Sequence, residues 1–354
     1  MVALPDIQER FANFALSTAK RAPLYATLSS AVAADPDVAR LLLAAPAQQQ
    51  LPVLLFAAVH HLLLHGDGPQ LAAFYANLTL TPAVGDPYPA FREVVLHHVD
   101  DIAGLVATRT TQTNEVGRCA QFVPALGMVA GEVGTLAHVD VGTSAGLNLL
   151  LPHYAIAYTP GGLVGGPSPV HLPCVTTGDV PVPATMPTIA RSIGIDRSPI
   201  DVLDDVEVRW LEACVWPDQA DRFDRLVAAV ALAREYVPDV RAGDAVHDLA
   251  AVVHEAAEWG HPVVTNSWVL NYLPDDTRRE YVAELDRLGT ELDLSWIIAE
   301  APSQTPGLPV PTTTPPEELT VLSLVRWRAG VRTAQRLATT HPHGYWLHWE
   351  NNPA

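Results

Sequence analysis

The sequence predicts an α/β protein: a mostly parallel sheet with an antiparallel C-terminal edge, preceded by an all-α region. Three observations carry this. From Asp6 to about Leu126 the apolar residues recur at helical spacing, as in Phe91, Val94, Val95, Val99, Ile102, Leu105 and Val106. After Leu126 short β-rich runs alternate with helix-like segments, the pattern of a parallel sheet. A glycine-rich string, "HVDVGTSAGLNLLL" from His138 to Leu151, follows the first of those runs.

In chain order, "ADPD", "HGDGP" and "VGDPYP" punctuate the first region, their glycines and prolines ending one helix and starting the next. Within it "LPVLLFAAVHHLLL" is too long an apolar run for a strand and reads as a buried helix. The strands then read as "LAHVDVG", "ARSIGID", "PDVRAGD", "PVVTNSW", "LSWIIAE", "LTVLSLVRW" and "GYWLHW", with helices such as "DRFDRLVAAVALARE" and "DDTRREYVAELDRLG" between the middle ones. "YAIAYT" and "PVHLPCV" read as an inserted hairpin. The predicted organisation is a helical cap region over residues 1–126 and a sheet domain over 127–354, with the hairpin in 152–187 and a helical insert in 203–235. The proline-rich stretch from Ala301 to Glu318 reads as a long loop, of the kind that serves as a lid.

Length and charge narrow the function. A chain of 354 residues has ample core for one large domain or two. Its net charge of −18 repels nucleic acid and anionic membranes, leaving a small molecule as the expected partner. No apolar run is long enough to span a bilayer and no basic segment precedes an apolar start, so a cytoplasmic location is expected. Cys119, Cys174 and Cys214 are scattered, without a metal or disulfide pattern, and read as buried thiols. His61 and His65 share a helical face at a metal-binding spacing, but no third ligand is evident nearby and no metal is expected.

The glycine-rich string has two readings. As Gly-x-Ser-x-Gly it is a nucleophile elbow with Ser144 attacking, Glu300 and His343 completing a triad. As a strand-to-helix loop it lets a cofactor approach the backbone: Gly142 and Gly146 turn N–H groups toward a polar ligand, and Asp140 meets a hydroxyl or ammonium. An elbow should be preceded by several strands, whereas helices precede this one. Acids also end the next strands: Asp196 is placed for ribose hydroxyls and Asp244 for an adenine amine, while helix capping is the plainer role for each.

The order of glycine loop, "GID" strand, "GDA" strand and "VVTNSWVLNYLPDDTRREYVAEL" resembles a class I S-adenosylmethionine-dependent methyltransferase. More specifically, "QTNEVGRCA", "VDVGTSAGLNLLL", "GIDRSPIDV", "RWLEACVWPDQADRFDRL", "VRAGDA" and "HPHGYWLHW" are similar to a bacterial family of unknown function, domain of unknown function 2332. The resemblance covers nearly the whole chain beyond Leu51. It implies a Rossmann-like sheet, S-adenosylmethionine as cofactor and a small-molecule methyl acceptor. The implied cofactor residues are Asp140, Gly142, Ser144, Gly146, Asn148, Asp196, Asp244, Asn266 and Ser267. Two departures from the methyltransferase pattern stand out: Ser144 replaces a common glycine, and the inserted hairpin lengthens the interval from Gly146 to Asp196.

Around the substrate, "TQTNEVGR" at a helix start places Asn114, Glu115 and Arg118 over the mouth of the crevice, Asn114 and Arg118 for substrate binding and Glu115 as a catalytic candidate, beside a capping role for the segment. His343 in "HPHG" is the candidate general base, since a free imidazole titrates near neutrality. Trp210 and Trp216 read as packing residues. The remaining alternatives are an esterase using Ser144 and a cofactor-binding protein without catalysis.

Overall fold

In the computed structural model the described residues are 2–305, 307–308 and 319–350. They form two compact units, Met1–Thr113 with Asp201–Val227, and Asn114–Ile200 with Ala228–Ala354. The division thus falls at Thr113 rather than 126, and much of the 203–235 insert groups with the helices. Most of the predicted 301–318 loop lies outside the described residues. No helix among the described residues is long and apolar enough to cross a membrane.

The first unit is helical: α1 (Leu4–Thr18), α2 (Pro23–Ala34), α3 (Pro36–Ala39), α4 (Pro52–His65), α5 (Pro69–Ala72), α6 (Tyr88–His97) and α7 (Val99–Thr108). The punctuating strings act as read. Asp35 caps α3 by accepting the amides of Asp37 and Val38, and Gly66 ends α4 in the left-handed region at φ +106°. α4 is apolar all round because it is the buried centre of this unit, with Leu54, Leu55, Phe56 and Val59 fully covered. Asp201–Val227 supplies a further helix, introduced below, which carries Trp210 into the same core.

The second unit begins with α8 (Cys119–Val133) and the strands β1 (Leu136–Val141), β2 (Ala155–Thr159), β3 (Gly162–Val164), β4 (His171–Thr177) and β5 (Ile189–Asp196). The chain then gives α9 (Asp205–Ala213), assigned to the helical unit, and α10 (Ala220–Glu235), within which the division falls. β6 (Val240–Ala242), α11 (Leu249–Ala257), β7 (His261–Ser267), α12 (Asp275–Glu291), β8 (Leu294–Glu300), β9 (Thr320–Arg328), β10 (Val331–Thr340) and β11 (Trp346–Trp349) follow. One sheet runs β3-β2-β4-β11-β10-β9-β8-β7-β1-β5-β6. The five strands β6, β5, β1, β7 and β8 are mutually parallel neighbours. The fold is therefore mixed α/β with a large, mostly parallel sheet.

Strand alternation sorts the β1 side chains between the two faces. Ala137, Val139 and Val141 join the core cluster formed with Leu249, Val252, Tyr281 and Leu285 of α11 and α12. His138 and Asp140 point the other way.

Two expectations are corrected. "YAIAYT" and "PVHLPCV" are not the two arms of a hairpin: β2 and β4 pair in parallel, and the antiparallel partner of β2 is the short β3. The C-terminal strands are also not the sheet edge. β11 would leave a row of N–H and C=O groups open, and β4 pairs with it in parallel, so the sheet continues outward to β3.

Candidate functional site

The candidate residues gather at the carboxyl ends of the parallel strands. β1 is the strand from which the order steps outward, to β5 and β6 on one side and to β7 and β8 on the other. In open α/β sheets ligands bind outside such a switch point. The turn after β1 stands there, with Gly142 at φ +74°, Ser144 at +55° and Gly146 at +73°. Non-glycine residues adopt this region at a cost, so Ser144 is strained and its surroundings must hold it. They do so through Asp196, at the end of β5, whose Oδ2 accepts the Ser144 amide at 2.8 Å and whose Oδ1 accepts the Ser198 amide at 2.9 Å.

The glycines serve close packing. A Cβ on Gly142 would stand 2.5 Å from Val269 Cγ2, and one on Gly146 would stand 2.4 Å from Val240 Cγ2. Their amides are turned inward, Gly142 to the Ile195 carbonyl at 2.8 Å and Gly146 to the Thr143 carbonyl at 2.9 Å. The segment after the turn is a 3₁₀ stretch, Leu147–His153, rather than the expected α-helix, and Pro152 lies inside it.

Asp140 is buried under this turn. Thr143 Oγ1 donates to its Oδ2 at 2.8 Å and Thr265 Oγ1, opposite on β7, donates to its Oδ1 at 2.7 Å. Burial pushes the Asp140 carboxyl up to about 6, despite those two hydroxyls and the Arg118 charge, which pull it down. Because the single Thr265 hydroxyl proton goes to Asp140, the contact of His138 Nε2 with Thr265 Oγ1 at 2.7 Å must have the imidazole donating. That imidazole is neutral, burial holding it down to about 4.

The segment before α8 is tied to the same place. Asn114 Oδ1 accepts the Leu147 amide at 2.9 Å, and Glu115 Oε1 accepts the Gly117 amide at 3.0 Å. Arg118, buried, donates from Nε to the Pro342 carbonyl at 2.9 Å and from Nη1 to the Ser267 carbonyl at 3.1 Å and the Ser267 hydroxyl at 3.3 Å. His343 Nδ1 lies 3.7 Å from Glu115 Oε2. Asn148 Oδ1 faces the Cys119 thiol at 3.5 Å, and burial pushes that thiol well up. Thus Arg118 meets Ser267 and Glu115 meets His343, while Asn114 and Asn148 tie the segment before α8 to the stretch after the glycine turn, so that four distant stretches of the chain are brought together.

Two candidates lie differently. Asp244 has the geometry of a cap: its Oδ1 accepts the amides of Val246 at 2.9 Å and His247 at 3.2 Å, and such donors hold its carboxyl down to about 2. Asn266 is fully buried on the α12 side, where its amide donates to Glu300 Oε1 at 2.8 Å and its carbonyl accepts from the Trp296 indole at 2.5 Å.

Sequence reading missed Glu300 in this role. Its Oε1 also accepts the Val269 and Leu270 amides, at 2.8 and 3.2 Å, which fixes the turn after β7 where Trp268 sits at φ +56°. Burial pushes the Glu300 carboxyl up to about 7, and its Oε2 has no hydrogen-bond partner among the described residues. Thr143, Thr265 and His138 were missed as well: Thr143 reaches Asp140 within the turn itself, while only the β1–β7 register, Asp140 opposite Thr265, brings Thr265 to Asp140 and His138.

His61 is buried against the Trp210 ring, 6.0 Å between centroids, while His65 bonds Asp67 at the surface. No group of three or more His, Cys, Asp or Glu side chains among the described residues is placed to hold a metal ion. All three cysteines are buried and free.

Fold and site together define an α/β protein with a polar, hydrogen-bonded cluster at the switch point of a parallel sheet. The chain belongs to the bacterial family described as "uncharacterized protein conserved in bacteria", domain of unknown function 2332, whose model matches residues 8–349. No curated protein and no solved structure matched it.

Proposed function

We propose that the chain is an S-adenosylmethionine-dependent methyltransferase of the Rossmann-like class I type, acting on a small-molecule acceptor in the cytoplasm. The carrying observation is the position of the glycine turn: it closes β1, the strand where the sheet order reverses, beside the acid that ends β5. The donor set suits a nucleoside cofactor. Each Asp196 oxygen spends one lone pair on a backbone amide and keeps another for a ribose hydroxyl. Asp140 answers a ligand's ammonium or hydroxyl through the turn it anchors, and Asn148, Ser144 and Ser267 add polar groups along the same edge. Asp244 takes its place at the adenine end.

When bound, the cofactor supplies an electrophilic sulfonium methyl. The chain's own part is to orient and exclude. Arg118, fixed by three oxygen acceptors, holds the turns after β7 and before β11 in register and places Asn114 at the substrate side. Glu115 and His343 together take the proton from a hydroxyl acceptor, the carboxylate stabilising the charged imidazole.

Calorimetric titration with S-adenosylhomocysteine tests this. Saturable binding that weakens at least about tenfold in Asp196→Ala supports it, and no heat at about millimolar ligand overturns it.

A second reading, an esterase using Ser144, draws on one observation, the left-handed backbone that a nucleophile on a sharp turn also adopts. Against it, Glu300 is taken up by Asn266, Val269 and Leu270, and the acid beside His343 is Glu115. A serine-directed phosphonate that labels the wild type but not Ser144→Ala would favour it. Binding without turnover would favour the non-catalytic alternative.

A further inference from the structure

The helical unit holds a set of polar atoms that the sheet unit's chemistry does not use. Among the buried atoms there that have no hydrogen-bond partner in the described residues are the hydroxyls of Tyr25 and Tyr75, Asn77 Oδ1 and Asp218 Oδ2. They belong together. The Tyr25 and Tyr75 ring centroids are 6.4 Å apart, and Tyr75 lies 5.2 Å from the His60 ring. The Asp218 charge reaches both phenols, adding to the burial that pushes them up.

The hydrogen-bond network fixes which way Asn77 points. His60 Nδ1 donates to the Ala213 carbonyl at 3.0 Å, so its Nε2 is an acceptor, and Asn77 must offer its NH₂ across the 3.0 Å contact. The Asn77 carbonyl oxygen is therefore left as an acceptor. Asp218 Oδ1 accepts the Leu24 amide at 3.3 Å, which leaves Oδ2 as a second one, and no ion pair to Asp218 occurs among the described residues. The walls are aromatic: Tyr25 stacks on Phe56 at 4.5 Å and has Trp216 at 6.1 Å. Arg21 lies over the outer Trp216 ring at 5.3 Å, which marks that surface as attractive to cations. Asp218 and Trp216 are both partly exposed, so this cluster lies close to the surface on their side, while its four polar atoms are themselves buried.

Two acceptors, one a carboxylate, two amphoteric hydroxyls and aromatic walls call for a compact positive ligand rich in N–H donors. An anion would meet the Asp218 charge, and water would leave that charge uncompensated. We propose that the helical unit binds a small protonated primary amine between Tyr25, Tyr75, Asn77 and Asp218. This site is independent of the methyltransferase reading.

The test is calorimetric titration of the full chain with methylammonium chloride at constant ionic strength, repeated in excess potassium chloride. Asp218→Asn keeps the acceptor for Leu24, and Tyr75→Phe changes only the hydroxyl; circular dichroism checks that both fold. Saturable binding is expected, weakened about tenfold or more in Asp218→Asn and several-fold in Tyr75→Phe, and resistant to potassium. No saturable heat, equal affinity in wild type and both variants, or full displacement by potassium overturns the proposal.

Discussion

At Gly142 the conflict between backbone and packing is direct. The residue sits at φ +74°, and a Cβ would stand 2.5 Å from Val269 Cγ2. Gly142→Ala is therefore expected to cost about 1–3 kcal/mol of stability, read from urea unfolding. Val269→Ala removes the collision but not the strained φ, so the double variant should lose clearly less than the two single losses added. Glu300 makes a different prediction. Burial raises its carboxyl from an unfolded value near 4.5 to about 7, so between those limits the folded chain binds more protons than the unfolded one. Stability from this group then falls as pH rises through that window. Glu300→Gln keeps an Oε1 acceptor for Asn266, Val269 and Leu270 and removes the titration. Relative to wild type it should gain about 2–3 kcal/mol between pH 4.5 and 8, measured by denaturant unfolding at each pH. The glycines and Asp196 were legible at this scale because turn chemistry is local. The Asp140–Thr265–His138 chain was not, since it depends on which strand lies beside β1.

Within α8, Pro124 shows how an element absorbs a broken rule. Proline has no N–H, so the Ala120 carbonyl four residues earlier loses its helical donor. The Tyr158 hydroxyl, on β2, supplies one at 2.8 Å. Tyr158→Phe should therefore leave a buried carbonyl unpaired and cost about 1–3 kcal/mol by urea unfolding. In a Pro124→Ala background the restored amide takes over, and the same Phe substitution should cost markedly less. Element existence was readable where periodicity was strong: the seven predicted strands all form, from "LAHVDVG" to "GYWLHW". β10 escaped notice because "VRTAQRLATT" is polar and its first four residues are exposed, so it carries no apolar alternation. β2 and β4 were readable as strands but not as parallel partners, because the pairing is set by β3 turning back between them.

For the whole molecule, the order of helices first and acid-ended strands afterwards was enough to foresee a mixed α/β fold and to place its glycine turn. What it could not convey was the course of the sheet beyond β9, where β10, β11, β4, β2 and β3 extend it by pairing strands far apart in sequence. Charge is a property of the same scale. With 39 acidic against 21 basic residues, the chain's net −18 sets a negative potential that every approaching ligand meets. S-adenosylmethionine carries one net positive charge, whereas S-adenosylhomocysteine, lacking the sulfonium, carries none. If both occupy the end of β1, salt should weaken the first more than the second, because only the first gains from the long-range field that salt screens. Raising sodium chloride from about 20 to 300 mM is expected to weaken S-adenosylmethionine about two- to fivefold and S-adenosylhomocysteine hardly at all, measured by calorimetry. Equal salt dependence for the two would show that the charged methyl group lies where the acidic field does not reach, and would move the cofactor away from Asp140 and Asp196.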